Sequence, residues 1–235
     1  MCSSDLFREA GYHVNNLTWE NFLRGDEALR GEGLAKSREV PIAKTDYNFE
    51  WEPDRSYDKE HWRVRKQGQP FFVQIQLHGG KFRGQSPEEA WPTRVRKELG
   101  SVTGIDQVRL PPYLPNHPVI LADWAQYLDA VRYTDYQLGT IVQRLQETGE
   151  LDNTIIFFMT DHGISHVRNK QFLYDGGTHV PLIVAGPGIE QGKVREDLVE
   201  HIDLAATSLE LAGIARPSVM QSQDLFAKEI GRAHV

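Results

Sequence analysis

Apolar residues recur at three- and four-residue steps through Leu121, Trp124, Leu128, Val131, Leu138, Val142 and Leu145. This spacing predicts one long amphipathic helix over residues 119–148 with a single buried stripe, ended by Gly149. Two runs carry a different signature. Residues 71–77, Phe-Phe-Val-Gln-Ile-Gln-Leu, combine aromatic and β-branched side chains and break at Gly79-Gly80, which predicts a strand. Residues 154–160 are near-continuously apolar, as expected of a central strand covered on both faces. A further strand is predicted over 180–185, turned by Gly186-Pro187-Gly188, and a helix over 202–212, stopped by Gly213.

The chain before residue 71 has weaker patterning. Residues 7–16 read as the end of a helix running through Gly11 into a short strand, followed by a polar helix over 19–30 and a loop over 31–38. Val40-Pro41-Ile42-Ala43 is expected to be a short strand that delivers Lys44 at its end, and 51–66 is expected to be irregular. Residues 81–118 carry many of the prolines and glycines and read as a long surface excursion. The order strand, helix, strand, strand, helix predicts an α/β fold, a layered mixed sheet flanked by helices, in which ligands bind beyond the carboxyl ends of strands.

Composition narrows the function. At 235 residues and 40% hydrophobic, the chain is long enough for a substantial core. A net charge of -7 argues against a nucleic-acid partner, since phosphate backbones are held by clustered Lys and Arg. No apolar run approaches the roughly 20 residues that span a bilayer. The single cysteine, Cys2, excludes an internal disulfide framework and a cysteine zinc site. Both ends read as foreign: Glu229 to Val235 and Met1 to Leu6 are what opposite strands of one adapter-like DNA element would encode. Residues 7–229 are therefore expected to be a partial catalytic domain, and 1–6 and 230–235 non-native ends.

Charged residues gather at the predicted strand ends: Lys44, then His78 with Lys81, then Asp161-His162, with Lys170 on the next loop. Cations beside a metal-binding carboxylate suit a tetrahedral oxyanion ester, whose charge must be neutralised and whose leaving oxygen must be protonated.

These segments resemble the sulfatase family of the alkaline phosphatase-like superfamily. Residues 151–163, LDNTIIFFMTDHG, are similar to the sulfatase stretch DNTIVIFTSDHG. Residues 170–177, KQFLYDGG, resemble KGTLYEGG, and residues 201–214, HIDLAATSLELAGI, resemble HVDLAPTLLDLAGI. Order and spacing agree across residues 71–214.

The resemblance implies an alkaline phosphatase-like fold, incomplete in this chain, and a sulfuric ester hydrolase acting on a sulfated carbohydrate or similar sulfate ester. It makes Asp161 a ligand of a single calcium ion. His162 stands where many members have Asn and others His, so it either joins the metal or touches the sulfate. Lys170 matches the lysine at the sulfate and bridging oxygen. Lys44 corresponds to a second sulfate-binding lysine, although its setting, Ala43-Lys44-Thr45, departs from the family's GKWHLG. His78 aligns with the first histidine of an HxPH element, and Lys81 falls where the second, substrate-contacting histidine lies. The acid that protonates the leaving group is then Lys81, His78 or Lys170. His166 and His201 are read as hydrogen-bonded scaffolding.

The family attacks sulfur with a formylglycine made within C/S-x-P-x-R, and no such motif occurs here, since Cys2 lacks the Pro and Arg. The nucleophile is expected upstream, the fragment alone inactive, and the protein periplasmic or extracellular. Two alternatives stand: a phosphoester or phosphonate hydrolase on the same fold, and a non-catalytic carbohydrate-binding relative.

Overall fold

The computed structural model describes residues 3–28, 39–45, 50–80 and 91–227. In chain order the elements are α1 (Ser3–Glu9), β1 (His13–Thr18), α2 (Trp19–Ala28), α3 (Pro53–Ser56), β2 (Phe71–Gln76), α4 (Trp91–Leu99), α5 (Pro118–Glu147), β3 (Ile156–Met159), α6 (Asp175–Thr178), β4 (Leu182–Ala185) and α7 (His201–Leu211). They form two compact units, one from residues 1–76 and 194–235, the other from 77–193.

In the first unit β1 and β2 pair in parallel, from His13 opposite Phe71 to Thr18 opposite Gln76. Phe7, Val14, Tyr57 and Leu209 form one buried cluster of its core, with Phe72 and Ile214 packed around them. The Phe7 ring stacks on Phe72 at 4.1 Å between centroids. β1 is buried although His13, Asn15 and Asn16 are polar. Part of the cost of burial is met: Asn15 Nδ2 donates to the carbonyls of Asp58 and Glu60, both at 3.0 Å, while its Oδ1 finds no partner among the described residues. Asp203 does similar work in α7. Its carboxylate accepts the backbone N–H groups of Glu200 at 3.0 Å and Gln223 at 2.9 Å, capping the helix and tying down the chain that follows.

The strand expected at 40–43 does not form. Pro41 has no N–H to give a ladder, and the flanking donors go elsewhere, Val40 to Lys59 O at 2.7 Å and Ala43 to Asn16 O at 2.9 Å. Lys44 thus leaves an irregular segment. α1 begins inside the stretch expected to be foreign; Ser4 and Asp5 are buried, and Ser56 Oγ donates to Asp5 at 2.6 Å. Residues 230–235 lie outside the described residues.

In the second unit the supposed excursion over 81–118 contains a helix. α4 lays Val95 against Ala130 and Tyr133 of α5. Lys81 lies outside the described residues. α5 matches its predicted span, but its buried face is broader and more polar than the expected stripe: Val131 is exposed, while Asp129, Thr134 and Gln137 are buried. Asp129 is satisfied by Thr103, whose backbone N–H at 3.0 Å and hydroxyl at 2.6 Å both reach its carboxylate.

β3 pairs antiparallel with β4, Ile156 opposite Ala185 and Met159 opposite Leu182. It is not a central strand covered on both faces among the described residues. Ile156 to Phe158 are half-buried, and Met159 and Ile183 are exposed. Among the described residues no helix is long and apolar enough to cross a membrane.

Candidate active site

The loop that leaves β3 is held by close backbone packing. At Gly163 a Cβ would fall inside the Gly176 carbonyl oxygen, and at Gly177 inside that of Phe172. Only glycine permits these approaches. The Asp161-His162-Gly163 and Asp175-Gly176-Gly177 segments therefore interlock. Between them the Ile164 carbonyl accepts the N–H groups of His166 at 2.8 Å and Lys170 at 3.0 Å. Arg168 and Gln171 adopt left-handed backbone with φ of 67° and 72°, an arrangement that non-glycine residues hold only where the surroundings over-determine it.

Asn169 supplies that determination. It is buried, and its Nδ2 donates to Val167 O at 2.8 Å and to Tyr113 Oη at 3.1 Å. Its Oδ1 occupies the space where a Cβ on Gly176 would sit. His166 pins the same loop to α5: Nε2 lies 2.8 Å from Asp123 Oδ2, and the ring packs on Trp124 and Tyr127 at 4.6 and 5.4 Å. This is a hydrogen-bonded scaffold role. The result is a short rigid segment carrying a carboxylate, an imidazole and an ammonium.

His162 Nδ1 lies 2.7 Å from the Gly163 carbonyl, so it carries the proton and donates. In the neutral ring Nε2 then keeps a lone pair, 3.4 Å from Asp161 Oδ1. Two electron-rich atoms that close can share a cation, and the Asp161 side chain is 84% exposed and accessible to one. A calcium ion asks for six or more oxygen donors. Among the described residues no group of three or more His, Cys, Asp or Glu side chains forms, so Asp161 and His162 fit a part of such a shell.

His78 follows β2 and is held separately, by α5. Gln137 Oε1 accepts its backbone N–H at 3.2 Å, and Gln137 Nε2 lies 2.6 Å from its Nδ1. Tyr133 packs on the ring at 5.7 Å. Burial pushes the Tyr133 phenol up, so it is a neutral neighbour at ordinary pH.

The structure therefore brings Asp161, His162 and Lys170 onto one loop and fixes His78 on the same unit. Lys44 belongs to the other unit, where its carbonyl accepts from Gln76. His201 opens α7 in that unit. Gln137 and Asn169 escaped sequence reading. Gln137 lies off the predicted apolar stripe, on the face of α5 that buries Ala130, Tyr133 and Thr134, so the spacing gave no signal for it.

The family model described as Sulfatase matches residues 4–214. Over 213 residues the chain is 28% identical to an ulvan-active sulfatase of Formosa agariphila, covering 77% of this chain and 35% of that protein. Over 110 residues it is 31% identical to the extracellular sulfatase SULF-1 homolog of Drosophila melanogaster, covering 45% of this chain and 10% of that one. The chain thus spans about a third of the first relative's length and a tenth of the second's. A solved Bacteroides thetaiotaomicron structure, described under metabolism of multiple glycosaminoglycans, superposes with a TM-score of 0.65 at 19% identity, covering 99% of this chain and 59% of that one. That superposition shows a shared α/β fold, and with the family match running over residues 4–214 the chain belongs to the sulfatase family.

Proposed function

We propose that this chain carries the leaving-group side of a sulfuric ester hydrolase that acts on a sulfated carbohydrate. The observation that supports it is the glycine-locked loop, which holds Asp161, His162 and Lys170 on one rigid segment. Lys170 binds the ester sulfate and stabilises charge on the departing oxygen, where a fixed ammonium acts mainly in the transition state. Lys44 grips non-bridging oxygens in ground and transition states alike. Lys81 and His78 complete the contacts to the ester. The leaving oxygen takes its proton from Lys81, His78 or Lys170.

Asp161, with His162 beside it, would be among the ligands of a calcium ion, which when bound supplies positive charge to the sulfate oxygens. The formylglycine nucleophile in this reading comes from a segment upstream of these residues. A sulfated polysaccharide substrate and the extracellular relative suit an exported protein, periplasmic or extracellular.

The test is made in the intact enzyme that contains this chain. Lys170→Ala should lower turnover by about 10²- to 10³-fold with little change in the Michaelis constant. An aryl sulfate with a good leaving group should partly rescue Lys170→Ala, because its oxygen departs with little help. It should not rescue Asp161→Ala. Equal rescue of both, or unchanged turnover of Lys170→Ala on every sulfate ester, overturns the assignment.

A further inference from the structure

We infer that Gln137 is a positioning residue that fixes the tautomer of His78 and makes it a neutral hydrogen-bond donor to the ester. This rests on the reading that His78 touches the substrate, and it deepens it.

Gln137 lies on the buried face of α5 and is 0% exposed. A buried amide needs partners at both ends, and both of these ends meet one residue. The orientation of the amide is decided by the backbone. His78 N–H can only donate, so the atom 3.2 Å from it is the carbonyl oxygen, Oε1. The amide nitrogen is therefore the atom 2.6 Å from Nδ1 of the same histidine. An amide NH₂ can only donate, so Nδ1 must accept with its lone pair. The single proton of the neutral ring is then on Nε2.

A doubly protonated ring would set an Nδ1–H against an NH₂ group, two donors face to face. The amide cannot turn over to relieve this without setting its NH₂ against the His78 backbone N–H. The same side chain thus fixes backbone, ring orientation and tautomer together.

The chemical consequence concerns the proton. A neutral imidazole that donates Nε2–H to a sulfate oxygen or the bridging oxygen stabilises developing negative charge. It does not surrender that proton, because imidazolate is far too basic a product, and so it acts as an electrophile (compare the neutral histidine of triosephosphate isomerase). Of the three candidates for the leaving-group acid, His78 is thereby removed, and the proton comes from Lys170 or Lys81. The hydrogen bond from His78 neither breaks nor forms a covalent bond.

The test uses Gln137→Glu, which keeps the shape and the acceptor for the backbone N–H and replaces the NH₂ donor by an acceptor. Long-range proton–nitrogen correlation of imidazole rings in isotope-labelled protein reads the tautomer, with His78 identified by the signal lost in His78→Gln. At neutral pH the unmodified protein should show Nε2 protonated and Nδ1 unprotonated. Gln137→Glu should place a proton on Nδ1, and Gln137→Met, which has no polar end, should populate both tautomers. Turnover of alkyl sulfates by Gln137→Glu should fall by about 10²-fold with the Michaelis constant little changed, the size expected when one oriented donor is lost.

A protonated Nδ1 in the unmodified protein, or an unchanged tautomer in Gln137→Glu, overturns the inference. His78→Gln with full turnover overturns the substrate contact itself, and leaves the tautomer measurement to judge Gln137 on its own.

Discussion

The core of the first unit and the loop over residues 161–177 are both rigid, for opposite reasons. In the core, order comes from side chains that fill space: Leu209 and Val14 are fully buried, and Phe7 stacks on Phe72. In the loop, order comes from side chains that are missing. Gly163 and Gly177 let two backbone segments touch, and a polar residue, Asn169, fills the remaining gap. Around the loop apolar exposure is high, with Phe172, Leu173 and Tyr174 facing outward. A hydrophobic core is weakened by deletion, and a glycine-packed loop by addition. The second kind of rigidity suits a site, because it leaves Asp161, His162 and Lys170 exposed or half-exposed while their backbone stays fixed.

Deletion in the core should have the largest effect. Leu209→Ala should lower stability by about 2–5 kcal/mol, transfer loss plus an unfilled cavity, read as a lower urea midpoint. A change inside 0.5 kcal/mol would mean that α7 does not bear on this core.

Addition in the loop comes next. Gly177→Ala should cost about 1–3 kcal/mol because a backbone oxygen, rather than a mobile side chain, stands in the way. The loss should be local, seen as faster amide exchange at Lys170 and Phe172, whose N–H groups close the loop. Unchanged protection at those amides would show that the glycine contact is not what holds it.

A smaller effect is expected where deletion is made in the loop itself. Asn169→Ala removes the bonds to Val167 and Tyr113 and should cost about 1 kcal/mol, again read by exchange at Lys170. The smallest effect belongs to the strand pair beside the loop. Ile183 is 58% exposed, and Ile183→Thr should change stability by less than about 0.5 kcal/mol. A loss of several kcal/mol there would reveal a cover over β4 that the described residues do not provide.

Much of the architecture was legible because it depends on local chemistry. The three- and four-residue spacing marked α5 nearly to the residue, β-branched and aromatic content marked β2, and Gly11 and Gly213 marked helix ends at φ of 88° and 68°. The failures have physical causes. Pro41 withholds a ladder donor, so a β-like composition at 40–43 made no strand. Residues 91–99 hid a helix among prolines because its partner, the Val95 contact with Ala130 and Tyr133, lies more than thirty residues away in the chain. β3 read as doubly covered because apolar content measures appetite for burial, and neighbours decide whether it is met.

The same division runs through the site. Sequence alone singled out the residues proposed for the chemistry, because Asp161, His162, Lys170 and His78 sit in short motifs whose spacing is itself the signal. It also determined the net charge of -7. Only tertiary structure decided how those residues are held. The clash that makes Gly163 and Gly177 obligatory is between segments more than ten residues apart or across a turn, and the amide that orients His78 comes from a helix 59 residues further on. A tautomer is a property of a partner's orientation in space, and spacing along a chain does not encode it.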